Sequence, residues 1–122
     1  MAYIFSAYGL HACLNAITDR AGRPGCVLIR ALAPVAGLRA MARRRGVAAT
    51  SPRLASGPGN VTRALGVSLR DNGADLVKGR LTIEAPTGPR DFRSARGPRI
   101  GITRSRTLSL RFWIADDPHV SR

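Results

Sequence analysis

Apolar and polar positions alternate along the first 17 residues in the way that is typical of β-strands. Every second residue shares a face in two successive sets, namely Tyr3, Phe5 and Ala7, and then Leu10, Ala12 and Leu14. Between the two sets stand Tyr8 and Gly9, and glycine lets a chain turn tightly. We therefore predict a β-hairpin whose bend carries Tyr8 and Gly9.

The pattern changes twice before residue 46. Turn-forming residues crowd positions 18–25, so we predict a loop there. A mostly apolar, β-branched run at 26–33 predicts a third strand with Arg30 in its middle. Apolar residues then recur at helical spacing over 35–45, and three arginines precede Gly46. This predicts a helix with cations at its negative end.

The second half of the chain has weaker patterning. Small residues at 56–60 lead into Val61, which predicts a short helix ending at Gly66. Three further strands are predicted at 81–85, 99–103 and 108–115. The element order predicts an α+β fold, a single domain over residues 1–122 with a largely antiparallel curved sheet and short helices. Because the chain starts directly inside a strand at Ala2, we expect an N-terminally truncated domain.

Composition adds a strong positive charge to this picture. The chain has 20 Lys and Arg residues, of which Lys78 is the only lysine, against 7 Asp and Glu, which gives a net charge of +13. Arginine forks two donors onto a phosphate, so the excess predicts a polyanionic partner. A GC-rich genome would also favour arginine. Charge alone therefore leaves DNA, RNA and an acidic membrane surface open.

Metal ligands are scarce in the sequence. Its only cysteines and histidines are Cys13, Cys26, His11 and His119, without the close pairing of zinc sites, so we expect no metal and no cofactor. There is no secretory signal pattern and no apolar stretch of about 20 residues that could span a bilayer. The expected compartment is the cytoplasm, with both cysteines reduced.

Four strings resemble the alkyladenine (3-methyladenine) DNA glycosylase family, in the same order. They are AYIFSAYGLHACLN (2–15), GCVLIRALAPVAGLRAMARRRG (25–46), LASGPGNVTRALGVSLRDNGADL (54–76), and PRIGITR with LRFWIADDPHVSR (98–104, 110–122). The resemblance implies a monomeric base-excision repair enzyme, associated with the nucleoid through DNA. Its partner would be double-stranded DNA with damaged purines. Such an enzyme flips the purine out of the duplex and hydrolyses its N-glycosidic bond.

The resemblance places the hairpin bend in the minor groove. Tyr8 stands at the position of the wedge that fills the gap left by the flipped base, and Gly9 lets the bend lead with that side chain. Leu10 and His11 flank the wedge and would touch the groove. The alternative is a tyrosine packed at the end of a sheet.

Two residues of the hairpin strands fall at positions of the family's base pocket. Phe5 would stack on the flipped base, and the amide of Asn15 would crowd or hydrogen-bond the purine edge. The family often has Tyr where Phe5 stands, so a hydroxyl hydrogen bond is lost. Packing within the sheet is the alternative for both.

Arg30 needs an anion, because an unpaired cation among apolar neighbours is costly. By resemblance it helps to hold the nucleophilic water and a phosphate beside the lesion. The alternative is a structural ion pair with a carboxylate. Ile100 matches a position whose backbone carbonyl also contacts that water.

Residues 56–60 bring backbone amides to a helix start, which is a physical anion site. By resemblance Gly59 and Asn60 contact DNA phosphate. The family often has Lys where Asn60 stands, which weakens that contact, and an ordinary helix cap is the alternative.

The family's catalytic Glu, in a Glu-x-Glu-Ala-Tyr string, precedes the hairpin, and no residue here matches it. The carboxylates are Asp19, Asp71, Asp75, Glu84, Asp91, Asp116 and Asp117. Asp116 and Asp117 are adjacent, so on a strand they would face opposite sides and could not act as a pair on one substrate. The alternative function is therefore an inactive fragment that serves only as a basic nucleic-acid-binding module. An RNA binder like a ribosomal protein would fit the four strings poorly.

Overall fold

The computed structural model describes residues 1–7, 9–18, 22, 25–89 and 91–121. The elements in chain order are β1 (Ala2–Ala7), β2 (His11–Ile17), β3 (Cys26–Leu28), α1 (Leu38–Arg45), α2 (Pro58–Leu65), a 3-10 turn (Leu69–Asp71), β4 (Ser94–Gly97) and β5 (Arg111–Ile114). Strands β1, β2 and β3 form one antiparallel sheet in that order, and β4 and β5 form a second. The predicted α+β class with antiparallel sheets is confirmed.

The predicted hairpin of β1 and β2 is confirmed together with its position along the chain. The register pairs Ala7 with His11 next to the bend and Ala2 with Ala16 at the far end. Gly9 has a φ of 67°, in the left-handed region that glycine enters without strain. Gly9 and Leu10 therefore lie between the two strands, where the sequence predicts the bend.

One face of the three-stranded sheet is covered by the segment from Leu65 to Leu81. Ala2, Ile4 and Leu14 on that face pack against Val67 and Leu76 to form the main hydrophobic core. Side chains alternate between the two faces of a strand, so the odd-numbered residues of β1 lie on the other face. Packing of the core thus determines which side chains of the hairpin remain accessible.

The outer edge of β1 is paired by the segment that follows the 3-10 turn. The backbone N–H of Gly73 donates to the carbonyl of Ala2 over 2.8 Å, and the N–H of Ala2 donates to the carbonyl of Ala74 over 2.8 Å. The N–H of Ile4 donates to Oδ1 of Asn72 over 2.9 Å. These bonds satisfy an edge that would otherwise present free backbone groups.

The third strand is shorter than the predicted span of 26–33. After Leu28 the chain leaves β2 and pairs with the segment that precedes α2. Gly57 donates its N–H to the carbonyl of Arg30 over 2.8 Å, and Ala31 forms an isolated bridge with Ser56. Arg30 consequently lies between the sheet and the start of α2.

Both predicted helices exist, with different starts. α1 begins at Leu38 rather than at residue 35, because Gly37 has a left-handed φ of 74° that a continuing helix does not allow. α2 begins at Pro58, which needs no helical N–H partner, and runs to Leu65 with Gly66 as its C-cap, where the sequence predicts the helix end. Nη1 of Arg44 donates to the carbonyl of Ala64 over 2.8 Å and joins the ends of the two helices.

Two predicted strands in the second half are wrong. Among the described residues the 81–85 run forms no ladder and is mostly exposed, and the N–H of Ile83 donates to the carbonyl of Leu76 over 2.9 Å. The 99–103 run is interrupted at Gly101, whose φ is 74°. Instead β5 pairs with β4, a strand that the sequence did not predict. Of the predicted 108–115 span, β5 occupies Arg111–Ile114.

Candidate functional site

The accessible face of the three-stranded sheet gathers residues from both hairpin strands. Phe5 is paired with Cys13 and Tyr3 with Asn15, and directly paired residues share a face. The rings of Tyr3 and Phe5 lie 5.7 Å apart between centroids, tilted by 31°. Phe5 is 37 % exposed to solvent. We call the face formed by Tyr3, Phe5, Cys13, Asn15 and Arg30 the open face.

Asn15 is buried on the open face with its amide fixed by neighbours. Its Nδ2 donates to the backbone carbonyl of Tyr3 over 3.2 Å, and its Oδ1 accepts from the Cys26 thiol over 3.8 Å. The structure thus brings Asn15 and Phe5 together, as the base-pocket prediction requires. The amide has a set orientation relative to anything that stacks on Phe5.

Arg30 reaches the open face because its neighbour Ile29 packs against the core on the other side. The buried Nε of Arg30 has no hydrogen-bond partner among the described residues. Burial and the nearby positive charge of Arg111 lower the pKa of Arg30, while the Cys13 thiol acts in the opposite direction. No described carboxylate forms an ion pair with Arg30. The structural ion pair considered from sequence is therefore absent from the described part of the chain.

Cys13 on β2 lies in the same partly buried surroundings as Arg30. Burial raises the pKa of its thiol, and the positive charge of Arg30 partly opposes that shift. The thiol is thus a neutral, packed group at neutral pH. It forms part of the floor of the open face rather than a reactive centre.

The hairpin bend is held against α2. The carbonyls of Ala12 and Gly59 lie 2.8 and 3.0 Å from Oγ1 of the buried Thr62, which donates to them. The His11 side chain lies so close to Gly59 that a Cβ there would meet its Cγ at 2.9 Å. Two separate groups of predicted DNA-binding residues are therefore adjacent in space.

The other predicted DNA-binding positions differ in setting. Leu10 is 78 % exposed beside the bend. Nδ2 of Asn60 donates to the carbonyl of Ser56 over 2.7 Å, so this side chain stabilises the entry to α2. Pro58 has no N–H, which removes one donor from the predicted anion site. Tyr8, the predicted wedge, lies outside the described residues.

Ile100 lies in the irregular segment between β4 and β5 and is 40 % exposed. No hydrogen bond of the described residues connects it with Arg30. Its predicted contact with the nucleophilic water stays a prediction.

Arg111 is a neighbour of Arg30 that the sequence did not predict. The Arg111 guanidinium stacks on the Trp113 ring at 4.5 Å from the centroid, and its Nη2 donates to the carbonyl of Ser121 over 2.5 Å. The alternation in β5 could have shown that these two side chains share a face. The proximity of Arg111 to Arg30 joins distant parts of the chain, so no local sequence pattern indicates it.

The ion pairs of the described carboxylates involve residues other than Arg30. Asp71 accepts from the backbone of Ser68 and from Arg80, and these bonds lower the pKa of Asp71. Asp116 and Asp117 lie beyond the end of β5. Their partners are different.

Asp116 pairs with Arg93, with 3.1 Å between Oδ2 and Nη2. His119 donates to Asp117 from its backbone and lies with Nδ1 2.8 Å from Oδ1, and the pKa of Asp117 is lowered by both contacts. Within the described ranges, three or more His, Cys, Asp or Glu residues nowhere cluster as a metal site would require. No helix in the described part is long and apolar enough to cross a membrane.

Comparison with known proteins gives a consistent result. The family model for methylpurine-DNA glycosylase (MPG) matches residues 1–118. Proteins named "Putative 3-methyladenine DNA glycosylase" from Methanoculleus marisnigri and Rhodopseudomonas palustris are 42% and 40% identical, each over 99% of this chain. The one from Chlorobium phaeobacteroides is 42% identical over 100% of it. The chain spans 64%, 57% and 62% of these relatives.

Proposed function

We propose that this chain, which belongs to the methylpurine-DNA glycosylase family, acts in base-excision repair by binding duplex DNA and holding a flipped alkylated or deaminated purine against the open face. The observation that carries this proposal is the shared face of Phe5, Asn15 and Arg30 beside the hairpin bend. It provides an aromatic surface, an oriented amide and an unsatisfied cation in one place.

Each group has a chemical task in this arrangement. The ring of Phe5 stacks on the extruded purine, with Tyr3 extending the aromatic surface. The fixed amide of Asn15 tests the purine edge and disfavours bases whose exocyclic groups clash with it. Arg30 supplies its guanidinium, whose Nε is unpaired among the described residues, to a phosphate or to the attacking water. Tyr8 fills the vacated space in the duplex, and the protein works as a monomer.

Hydrolysis of the glycosidic bond needs a general base that activates water, and by resemblance to the family this base is a carboxylate. The ion pairs of the described carboxylates are with Arg80, Arg93 and His119, away from Arg30. We therefore assign base binding and orientation to residues 1–122, and we expect these residues alone to bind DNA without excising a base.

A second function of another class is a basic nucleic-acid-binding module without base recognition. The net charge of +13 and the lack of a described carboxylate beside Arg30 favour it. This module would bind through phosphates alone and would not distinguish a damaged duplex from an intact one.

The two functions are separated by the affinity of the chain for a duplex with one hypoxanthine and for the matched intact duplex. We expect tighter binding to the hypoxanthine duplex. Stacking on an aromatic side chain contributes about 1 to 3 kcal/mol per base, so Phe5→Ala should lower that preference by roughly tenfold. Phe112→Ala removes an aromatic side chain that is more exposed than Phe5 from β5 and serves as the matched control.

Equal affinity of the parent chain for both duplexes would contradict base recognition and support the module without it. Excision of hypoxanthine by the 122-residue chain would show that the assignment of the carboxylates is wrong.

A further inference from the structure

A groove beside the hairpin bend is separate from the open face, because neither Phe5 nor Arg30 lines it. It has a volume of about 440 Å³ and lies between the bend, the C-terminal end of α2 and the 3-10 turn. Gly9, Leu10 and His11 form one wall, and Arg63 and Arg70 lie on the other. The groove therefore starts where the hairpin would enter DNA and leads away from the open face.

A third arginine reaches the same end of α2 from α1. The Arg44 guanidinium donates to the carbonyl of Ala64 and lies so close to Gly66 that a Cβ there would be 3.2 Å from its Cζ. Gly66 directly precedes Val67, which lines the groove. We call Arg44, Arg63 and Arg70 the arginine track.

The track is not neutralised by acidic side chains of the described residues. The nearest carboxylate along the chain, Asp71, is already occupied by Arg80 and by the Ser68 N–H. The side chains of Arg63 and Arg70 are exposed and form no ion pair among the described residues. Burial lowers the pKa of Arg45, and the positive charges of Arg63 and Arg53 lower it further, so the cationic character continues toward Arg45 and Arg53.

We propose that the arginine track binds the phosphates of one DNA strand that flanks the hairpin bend. This inference rests on the proposed function, since it takes the bend to lie in the duplex. Arginines forked onto successive phosphates suit a shallow polar groove, because phosphate contacts fix register and orientation without reading bases. The track would hold the duplex in place while the open face receives the purine.

The track is tested with the double variant Arg63→Gln and Arg70→Gln in the full chain, measured by fluorescence anisotropy with an intact DNA duplex at several salt concentrations. The matched control is Arg39→Gln with Lys78→Gln, which removes two exposed cations outside the groove. Each lost phosphate contact reduces the slope of log K against log salt by about 0.9. We expect the track variant to lose about 2 of the slope and to bind roughly tenfold more weakly. We expect the control to retain the parent slope.

Thermal unfolding of both variants checks that the fold is retained. An unchanged slope in a folded track variant would overturn the track and leave the proposed function standing. Failure of the parent chain to bind duplex at any salt concentration would instead contradict the proposed function.

Discussion

At the scale of single residues, Arg30 connects sequence, structure and function most directly. The sequence shows a cation among apolar neighbours and predicts an anionic partner for it. Among the described residues, the structure provides a second cation, Arg111, and leaves the buried Nε of Arg30 unpaired. A site that is unsatisfied without a ligand is typical of functional positions, where stability is sacrificed for binding.

We therefore predict that Arg30→Met stabilises the chain and weakens its binding to DNA. An unpaired buried donor costs about 1 to 3 kcal/mol, so the free energy of unfolding should rise by about 1 kcal/mol and the melting temperature by roughly 4 °C. Thermal melts with and without duplex measure both effects. Arg39→Met, which changes an exposed arginine of α1, should leave both values unchanged. A lower melting temperature for Arg30→Met without DNA would show that Arg30 has a structural partner.

At the scale of elements, success of the sequence analysis depended on whether the pattern that defines an element is local. The hairpin was predicted with its bend because alternation over two adjacent runs and an intervening glycine determine it. Ser94–Gly97 was missed because this polar segment becomes a strand only by pairing with β5. The 81–85 run alternates as a strand does, yet no described strand pairs with it, and the N–H of Ile83 donates to the carbonyl of Leu76 in a turn instead. Strand formation therefore required a contact that the local pattern does not contain.

The contact between the hairpin and α2 gives a prediction at this scale. Gly59→Ala would place a Cβ 2.9 Å from the His11 ring, so the two elements must move apart. We expect the free energy of unfolding to fall by about 1 to 3 kcal/mol and the affinity for duplex DNA to fall with it. Gly88→Ala introduces the same methyl group where no atom lies within 4 Å and should change neither value. A Gly59→Ala chain as stable as the parent would contradict the close packing of bend and helix.

At the scale of the whole molecule, the candidate site could be predicted only in part. Phe5 and Asn15 share a face because their positions follow from the alternation of one hairpin. The neighbours of Arg30 come from residues as distant as Arg111, and the groove joins β2 with α2 and the 3-10 turn. Such contacts depend on the packing of the core, which the order of residues along the chain does not reveal.

The molecule thus has an accessible sheet face and a cationic groove that meet at the hairpin bend. We expect DNA with a damaged purine to bind at this place rather than over the whole basic surface. The position of bound DNA on the protein can be tested by a measurement that reports on many backbone amides at once.

The most direct test is a ¹H–¹⁵N chemical-shift map of the full chain titrated with a hypoxanthine-containing duplex. We predict the largest shifts at residues 3–7, 11–15 and 28–30 and along the groove at 66–70, with small shifts in β4 and β5. The matched intact duplex should shift the groove amides but leave those of the open face largely unchanged. Shifts spread over the exposed arginines of the whole chain, and identical for the two duplexes, would contradict the account.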